Sequence, residues 1–337
     1  MCYCRSFSKA KSKAMRTKII SVENLSAIKA EVEKIETKKL LVVWDKTVFE
    51  KYGEVLNFTG DKYLTYQTPG GESCKSFSEY QKCIEFFLSQ NVTRDSHLLV
   101  IGGGAASDMA GFVASTLLRG IEWSIIPTTL LSLIDSSIGG KTAINSKDTK
   151  NMVGNFHMPT NVIQCEQFLE TLPELEKMSA YGEVLKYTFL DDFINVLTQS
   201  PYALKELIQV CTSYKNKIVQ DDQKEKGIRT ILNFGHTFGH VFEKKYQLPH
   251  GISVALGIKV ILEKFCEGRL LDEYKIRCER LGLNLPKNVS IDKNDIKEFV
   301  SKDKKNEAGE MIKLVIINEN NQPAIKKLSL EQILEQY

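Results

Sequence analysis

Three of the five histidines fall within fifteen residues, in Asn233-Phe-Gly-His236-Thr-Phe-Gly-His240 and Pro249-His250-Gly251, a crowding that reads as a metal site. His236 and His240 are four apart, so a helix there projects both imidazoles from one face about one turn apart. The zinc-protease pattern His-Glu-x-x-His requires a glutamate where this chain has Thr237, so that reading fails. The plain alternative is a glycine-loosened helix that buries two hydrogen-bonded histidines in a core.

Two glycine runs come next. Gly102-Gly-Gly104 lies between an apolar run and a helix-like segment, where its amides can approach a phosphate with no side chain in the way, and a nucleotide pyrophosphate is the natural guest. Its spacing is not Gly-x-Gly-x-x-Gly, because Ser107 stands at the third glycine, and a ligand-free turn accounts for the run equally well. Gly139-Gly-Lys141-Thr142 looks like the tail of a phosphate-binding P-loop. The leading glycine of that motif would be residue 135, which is Asp135, and no clear strand feeds the loop, so this reading is rejected.

The elements that must position these residues differ between the two halves. Leu40-Leu-Val-Val-Trp44, Leu98-Leu-Val-Ile101 and Trp123-Ser-Ile-Ile126 are short apolar runs of the kind found in buried parallel strands, with an amphipathic stretch from Met109 to Leu118 between the second and third. That alternation indicates an α/β sheet. Beyond residue 165, segments 173–190, 201–220, 230–246, 253–271 and 272–282 carry helical periodicity, and only Met311–Ile317 reads as a strand. The division is a disordered leader over 1–18, an α/β domain over 19–165 and a helical domain over 166–337. Met15 is a second candidate start.

Bulk properties exclude several classes. The length of 337 residues, with 42% hydrophobic and 26% charged residues, suits two soluble domains. A net charge of +3 with interspersed signs leaves no nucleic-acid footprint, and no stretch approaches the roughly 20 apolar residues that span a bilayer. The eight cysteines show no Cys-x-x-Cys spacing and read as reduced thiols, with Cys2 and Cys4 in the inert leader. The expected location is the cytosol, with no membrane or nucleic-acid partner.

Taken together, Gly71-Glu-Ser-Cys-Lys75, Gly102 to Phe112, Pro127-Thr-Thr-Leu-Leu131, Asp135 to Asn145, Lys150-Asn151, Glu183-Val-Leu-Lys186 and Arg229 to His240 resemble the 3-dehydroquinate synthase family of sugar phosphate cyclases, from about residue 40 to about 315. The resemblance implies an α/β N-terminal NAD-binding domain, a mostly α-helical C-terminal metal-binding domain and a site between them. It implies a divalent metal, zinc or cobalt, on Glu183, His236 and His250, a ligand set that leaves room for substrate. His240 then becomes a neighbour of the substrate. The family's reaction cyclises 3-deoxy-D-arabino-heptulosonate 7-phosphate with loss of phosphate, in the shikimate pathway, and NAD is used and regenerated within one turnover.

The residues that match the family's substrate-contacting positions are Asp135, Lys141, Lys150, Asn151, Lys186, Lys215, Arg229, Asn233 and His240, with Lys304 or Lys305 in a late lysine motif. Cations suit a substrate that carries both a carboxylate and a phosphate, although exposure is the ordinary fate of any one lysine. Arg119 matches an arginine that the family supplies across a dimer interface, which implies a homodimer. For NAD the matches are Asp45, Glu72, Lys75, Gly103, Gly104, Asp108, Thr128, Thr129, Thr171 and Leu172.

Ser107 departs from the family glycine; at a positive φ it would cost on the order of 1 kcal/mol. Lys147-Asp-Thr-Lys150-Asn also replaces the usual Pro-Leu-Gly-Lys-Asn, and the loop between His240 and His250 is short. The rival readings are a sister cyclase acting on sedoheptulose 7-phosphate, a metal-dependent polyol dehydrogenase that would release NADH, and a non-catalytic homologue.

Overall fold

In the computed structural model, which describes residues 17–147, 149–302 and 311–337, the run Leu40–Asp45 divides its side chains between two buried layers, as strand geometry requires. Leu41 and Val43 join Leu98, Val100, Trp123 and Ile125 on one face. Leu40, Val42 and Trp44 join Leu99, Ile101, Ile126 and Ile163 on the other. With both faces covered the strand has no polar side, which is why its sequence is continuously apolar.

The chain runs β1 (Lys18–Val22), α1 (Leu25–Glu33), β2 (Leu40–Asp45), α2 (Lys46–Leu56), β3 (Tyr63–Thr68), α3 (Phe77–Leu88), β4 (His97–Gly102), α4 (Gly104–Thr116) and β5 (Glu122–Pro127). A hairpin follows, β6 (Lys141–Ser146) and β7 (Thr149–Phe156), and then β8 (Asn161–Cys165). Six of these strands form one parallel sheet in the order β1-β8-β5-β4-β2-β3. Helices α3 and α4 cover one face, and α1 and α2 the other. The connections from β2 and β4 leave in opposite directions, so the carboxyl ends of these two neighbours, at Asp45 and Gly102, flank the crevice where an open α/β sheet takes its ligand.

Beyond β8 come α5 (Glu174–Leu190), α6 (Asp192–Leu197), α7 (Leu204–Asp221), α8 (His236–Tyr246), α9 (His250–Phe265), α10 (Arg269–Arg280) and α11 (Lys293–Lys302). An antiparallel pair, β9 (Ile312–Ile317) and β10 (Pro323–Leu328), and the short α12 (Leu330–Leu334) complete the described chain. These elements share a core built on Val184, Leu185, Phe234, Phe238, Val254 and Ile258.

Several expectations are corrected. Lys18, placed in the leader, is the first residue of β1, and Thr17 Oγ1 donates to the Pro159 carbonyl at 2.7 Å. Segment 230–246 is not one helix: a 3-10 turn over Ile228–Asn233 ends before Gly235, whose φ is +86°, and α8 starts at His236. A Cβ on Gly235 would stand 2.6 Å from Ile258 Cγ1 and 2.8 Å from the Val254 carbonyl, so only glycine turns the chain there. β1, β3, β8, β10 and the β6–β7 hairpin lack the buried apolar run or strict alternation that marked the other strands; β7 is almost wholly exposed. The condition for strain at Ser107, a positive φ, is not met. Ser107 lies inside α4 without a positive φ, and its hydroxyl donates to the Gly104 carbonyl at 2.9 Å. Cys2, Cys4 and Met15 lie outside the described residues. Among the described cysteines, Cys74, Cys83, Cys165, Cys211 and Cys278 are buried thiols, and Cys266 is half-buried.

One buried group carries a pH prediction. His97 opens β4 at 4% exposure, with Nε2 2.8 Å from Ser124 Oγ, and burial pulls its imidazole down from 6.5 to about 4. The unfolded chain takes up this proton near pH 6.5 while the folded chain does not. The contribution is therefore complete above about pH 6.5 and lost as the pH falls toward 4. Urea unfolding at pH 7 and pH 4.5 is expected to show about 2–3 kcal/mol of this loss in the parent and a shallower slope in His97→Gln. Equal slopes in the two proteins would refute it.

Candidate active site

Glu183 lies in the middle of α5, whereas His236 and His250 are the first residues of α8 and α9. What brings them together is backbone contact between helices. A Cβ on Gly182 would stand 1.9 Å from the Gly251 carbonyl, and one on Gly251 would stand 1.7 Å from the Ser179 carbonyl. One on Gly257 would reach within 2.0 Å of the Gly235 carbonyl. The glycines beside the three candidate ligands therefore let α5, α8 and α9 approach closer than any side chain allows.

The result is a buried carboxylate facing two imidazoles. Glu183 Oε1 is 3.5 Å from His236 Nε2 and 3.2 Å from His250 Nε2, and one ligand atom from each residue lies within 4.8 Å of the others. The Phe234 carbonyl, 3.3 Å from His236 Nδ1, can only accept, so that nitrogen carries the proton. Glu243 Oε2 sits 3.1 Å from His250 Nδ1 and orients the second ring in the same way. Both Nε2 atoms then face Glu183; against burial, which lowers it, the Glu183 and Glu243 carboxylates raise the His250 imidazole to about 10, so its Nε2 gives up a proton when a metal binds. Lys186 Nζ is ion-paired with Glu183 Oε2, but neither carboxylate oxygen completes a hydrogen bond among the described residues. Burial alone would raise the Glu183 carboxyl; Lys186 and His236 outweigh it and hold it at about 2. An ionised, buried carboxylate with two oriented imidazoles fits a divalent cation.

Beside this trio stands a wall of cations. Lys215 Nζ donates to Asp135 Oδ2 at 2.6 Å and to the Asp135 carbonyl at 2.9 Å, Lys186 Nζ lies 3.4 Å from Oδ1, and the Tyr187 hydroxyl donates to Oδ1. Burial pulls the Lys215 ammonium down to about 8, with Asp135 opposing and Lys186 assisting. Asp135 is held well below the usual carboxylate range by Lys186 and Lys215 against the effect of burial. Asp135 thus supplies the acceptor between two buried ammonium groups.

The hairpin delivers further cations. Lys141 pairs with Glu225, which also accepts from Asn233 Nδ2 at 2.5 Å and lies 3.9 Å from Arg229 Nε. Gly139, at φ +109°, passes so close to Arg229 that a Cβ would stand 2.3 Å from Nη2. Lys150 donates to Glu243 Oε1 at 2.6 Å, which joins the hairpin to the helix bearing His236 and His240. The His240 ring centroid is 5.5 Å from that of His236 and 6.1 Å from that of His250, on an exposed turn beside the trio.

At the crevice between β2 and β4, Gly102, Gly103 and Gly104 leave a cradle: a Cβ would meet Asp45 Cβ at 3.1 Å, Thr129 Cγ2 at 2.9 Å and Ser136 Oγ at 2.8 Å respectively. Gly103 caps α4 without a side-chain bond, so the first-turn amides point outward as an anion site. Lys75 donates to Asp108 at 2.7 Å, lies 3.7 Å from Glu72 and also donates to Asn151. Thr128 N donates to the Gly102 carbonyl at 3.0 Å. These groups fit a dinucleotide crossing the carboxyl edge of the sheet.

The structure therefore brings most of the sequence-expected residues into two adjoining clusters. Thr171 and Leu172 stand apart from both, with Thr171 Oγ1 2.8 Å from the Tyr52 hydroxyl of α2. Arg119 is exposed just past the far end of α4, about 20 Å along that helix from Gly103. Lys304 and Lys305 lie outside the described residues. Sequence reasoning missed Glu243, Glu225, Tyr187 and Asn145, whose Nδ2 donates to Glu72 at 2.8 Å. Glu243 had a signal, since it follows His240 by three residues on the same helical face.

Comparison with solved structures gives the fold. The fold matches 2-epi-5-epi-valiolone synthase from Streptomyces hygroscopicus subsp. jinggangensis, with NAD+ and Zn2+ bound, at a TM-score of 0.82 and 20% identity over 100% of this chain and 97% of that one. It matches 2-deoxy-scyllo-inosose synthase complexed with carbaglucose-6-phosphate, NAD+ and Co2+ at 0.80 and 21%, over 94% and 95%. This is the two-domain fold of the sugar phosphate cyclases. Residues 65–179 match the family model for the 3-dehydroquinate synthase N-terminal region, and 180–306 that for its C-terminal region. The 3-dehydroquinate synthase of Macrococcus caseolyticus is 37% identical over 88% of this chain and 87% of that protein; that of Latilactobacillus sakei is 36% identical over 94% of each. The chain belongs to the 3-dehydroquinate synthase family. No helix among the described residues is long and apolar enough to cross a membrane.

Proposed function

We propose that this chain is a carbon-oxygen lyase that converts 3-deoxy-D-arabino-heptulosonate 7-phosphate to 3-dehydroquinate and phosphate, with NAD and a divalent metal, zinc or cobalt. The observation that carries the reading is the buried, ionised Glu183 carboxylate with its two oriented imidazoles, set against the lysine wall and close to the nucleotide cradle. When bound, the metal supplies Lewis acidity toward substrate hydroxyls, and NAD accepts and returns a hydride.

The protein's own residues do the rest. Glu183, His236 and His250 hold the metal. Lys141, Lys150, Arg229 and Asn233 bind the substrate's carboxylate and phosphate, exchanging their present carboxylate partners for those of the ligand. Asp135, between Lys186 and Lys215, accepts a substrate hydroxyl, and His240, at the exposed rim, moves a proton beside the phosphate. Asp45, Glu72, Lys75, Gly103, Gly104, Asp108, Thr128 and Thr129 line the NAD cradle. Arg119 serves the neighbouring copy in a cytoplasmic homodimer. Its distance from its own cradle and its exposure support that assignment.

The test is a turnover assay with purified protein, NAD, zinc or cobalt, and the heptulosonate phosphate. Inorganic phosphate and cyclised product are expected in equal amounts, with no net NADH. Turnover of sedoheptulose 7-phosphate but not of the acid would overturn the substrate assignment, and stoichiometric NADH would point to a dehydrogenase.

A further inference from the structure

Tyr187 is fully buried in α5, and its hydroxyl has one partner among the described residues, Asp135 Oδ1. Its ring stands edge-on to Tyr214 with centroids 5.7 Å apart, and Lys186 Nζ lies 4.6 Å from its centroid. Phenylalanine would keep both ring contacts. The hydroxyl therefore acts on Asp135, because a buried phenol that did not need its partner would be better replaced by a hydrocarbon.

Counting acceptors shows what it does there. A carboxylate offers roughly four acceptor positions. Tyr187 and Lys186 address Oδ1, and Lys215 addresses Oδ2 and also holds the residue's own carbonyl. Among the described residues one position, on Oδ2, is left without a donor, and the carboxylate cannot rotate without breaking the Tyr187 and Lys215 bonds together. We propose that Tyr187 is a positioning residue for substrate recognition: it locks the Asp135 carboxylate so that one Oδ2 lone pair is presented to a single substrate hydroxyl. The inference rests on the reading of Asp135 as a substrate-contacting residue.

The experiment uses the protein loaded with NAD and zinc and compares the parent, Tyr187→Phe and Asp135→Asn. Substrate and a series of analogues, each lacking one hydroxyl, are titrated by calorimetry and assayed. Tyr187→Phe is expected to keep its zinc content and to weaken substrate binding roughly tenfold, the size of one hydrogen bond to a charged group. It is expected to bind one of the deoxy analogues as well as the parent protein does. A uniform loss across all analogues, a fall in zinc content, or unchanged substrate binding would each overturn the proposal. If Asp135→Asn binds substrate like the parent, the underlying reading of Asp135 fails instead. That result is distinguishable, because Tyr187 is intact in the variant.

Discussion

Gly251→Ala is expected to release the metal. The new methyl would stand 1.7 Å from the Ser179 carbonyl, so α5 and α9 must separate by more than an ångström, and the bond from Gly251 N to Ser179 Oγ at 3.1 Å is lost with them. Glu183 is carried by α5 and His250 by α9, one residue from the contact, so separation draws the carboxylate away from the Nε2 that now faces it at 3.2 Å. Overpacking of this kind costs about 1–3 kcal/mol of stability. Displacing a ligand should lower zinc affinity by at least the roughly 10–100-fold typical of losing an outer-shell partner. Gly182→Ala, which meets the Gly251 carbonyl at 1.9 Å, should behave in the same way. Gly268→Ala, where the methyl enters open space, should change neither property. Metal analysis after gel filtration, with melting curves, checks all three. A Gly251→Ala protein that keeps its zinc would show that the helix contact does not set the ligand geometry.

Glu183→Gln is the second large effect. The amide keeps the volume but removes the charge that pairs with Lys186 and faces both imidazoles. Lys186 retains Asp135 at 3.4 Å, so the fold should survive, with melting lowered modestly. Zinc affinity should fall at least about 100-fold, and turnover should become undetectable at zinc concentrations that saturate the parent. The two variants separate cause from effect: Gly251→Ala lowers both stability and metal content, whereas Glu183→Gln removes metal from a nearly intact protein. Retention of zinc by Glu183→Gln would move the metal to the second such group among the described residues, His240, Glu243 and His250.

How much of this was legible in the chain follows from what each residue depends on. β2, β4 and β5 could be read because a strand buried on both faces must be apolar throughout. The β6–β7 hairpin could not, although it carries Lys141, Lys150 and Asn151, because β7 is exposed and bears the residues its site requires rather than a periodic pattern. Segment 230–246 carried helical periodicity across Gly235, and only the approach of Ile258 and Val254 shows why the chain breaks there. Whether Ser107 strains the chain depends on its φ, which the helix α4 running through it sets.

The sequence by itself determined which side chains are available: the Glu183, His236 and His250 set, the lysines, and the glycine cradle at a strand end. These are covalent facts of residue type and spacing. Only the tertiary structure decided which atoms face one another. Residues 183 and 250 meet because helix backbones touch at Gly182 and Gly251. Glu243 and the Phe234 carbonyl turn the two imidazoles, and Tyr187 and Lys215 fix Asp135. Such contacts join residues far apart in the chain through close packing, and packing leaves no local period from which they could be read.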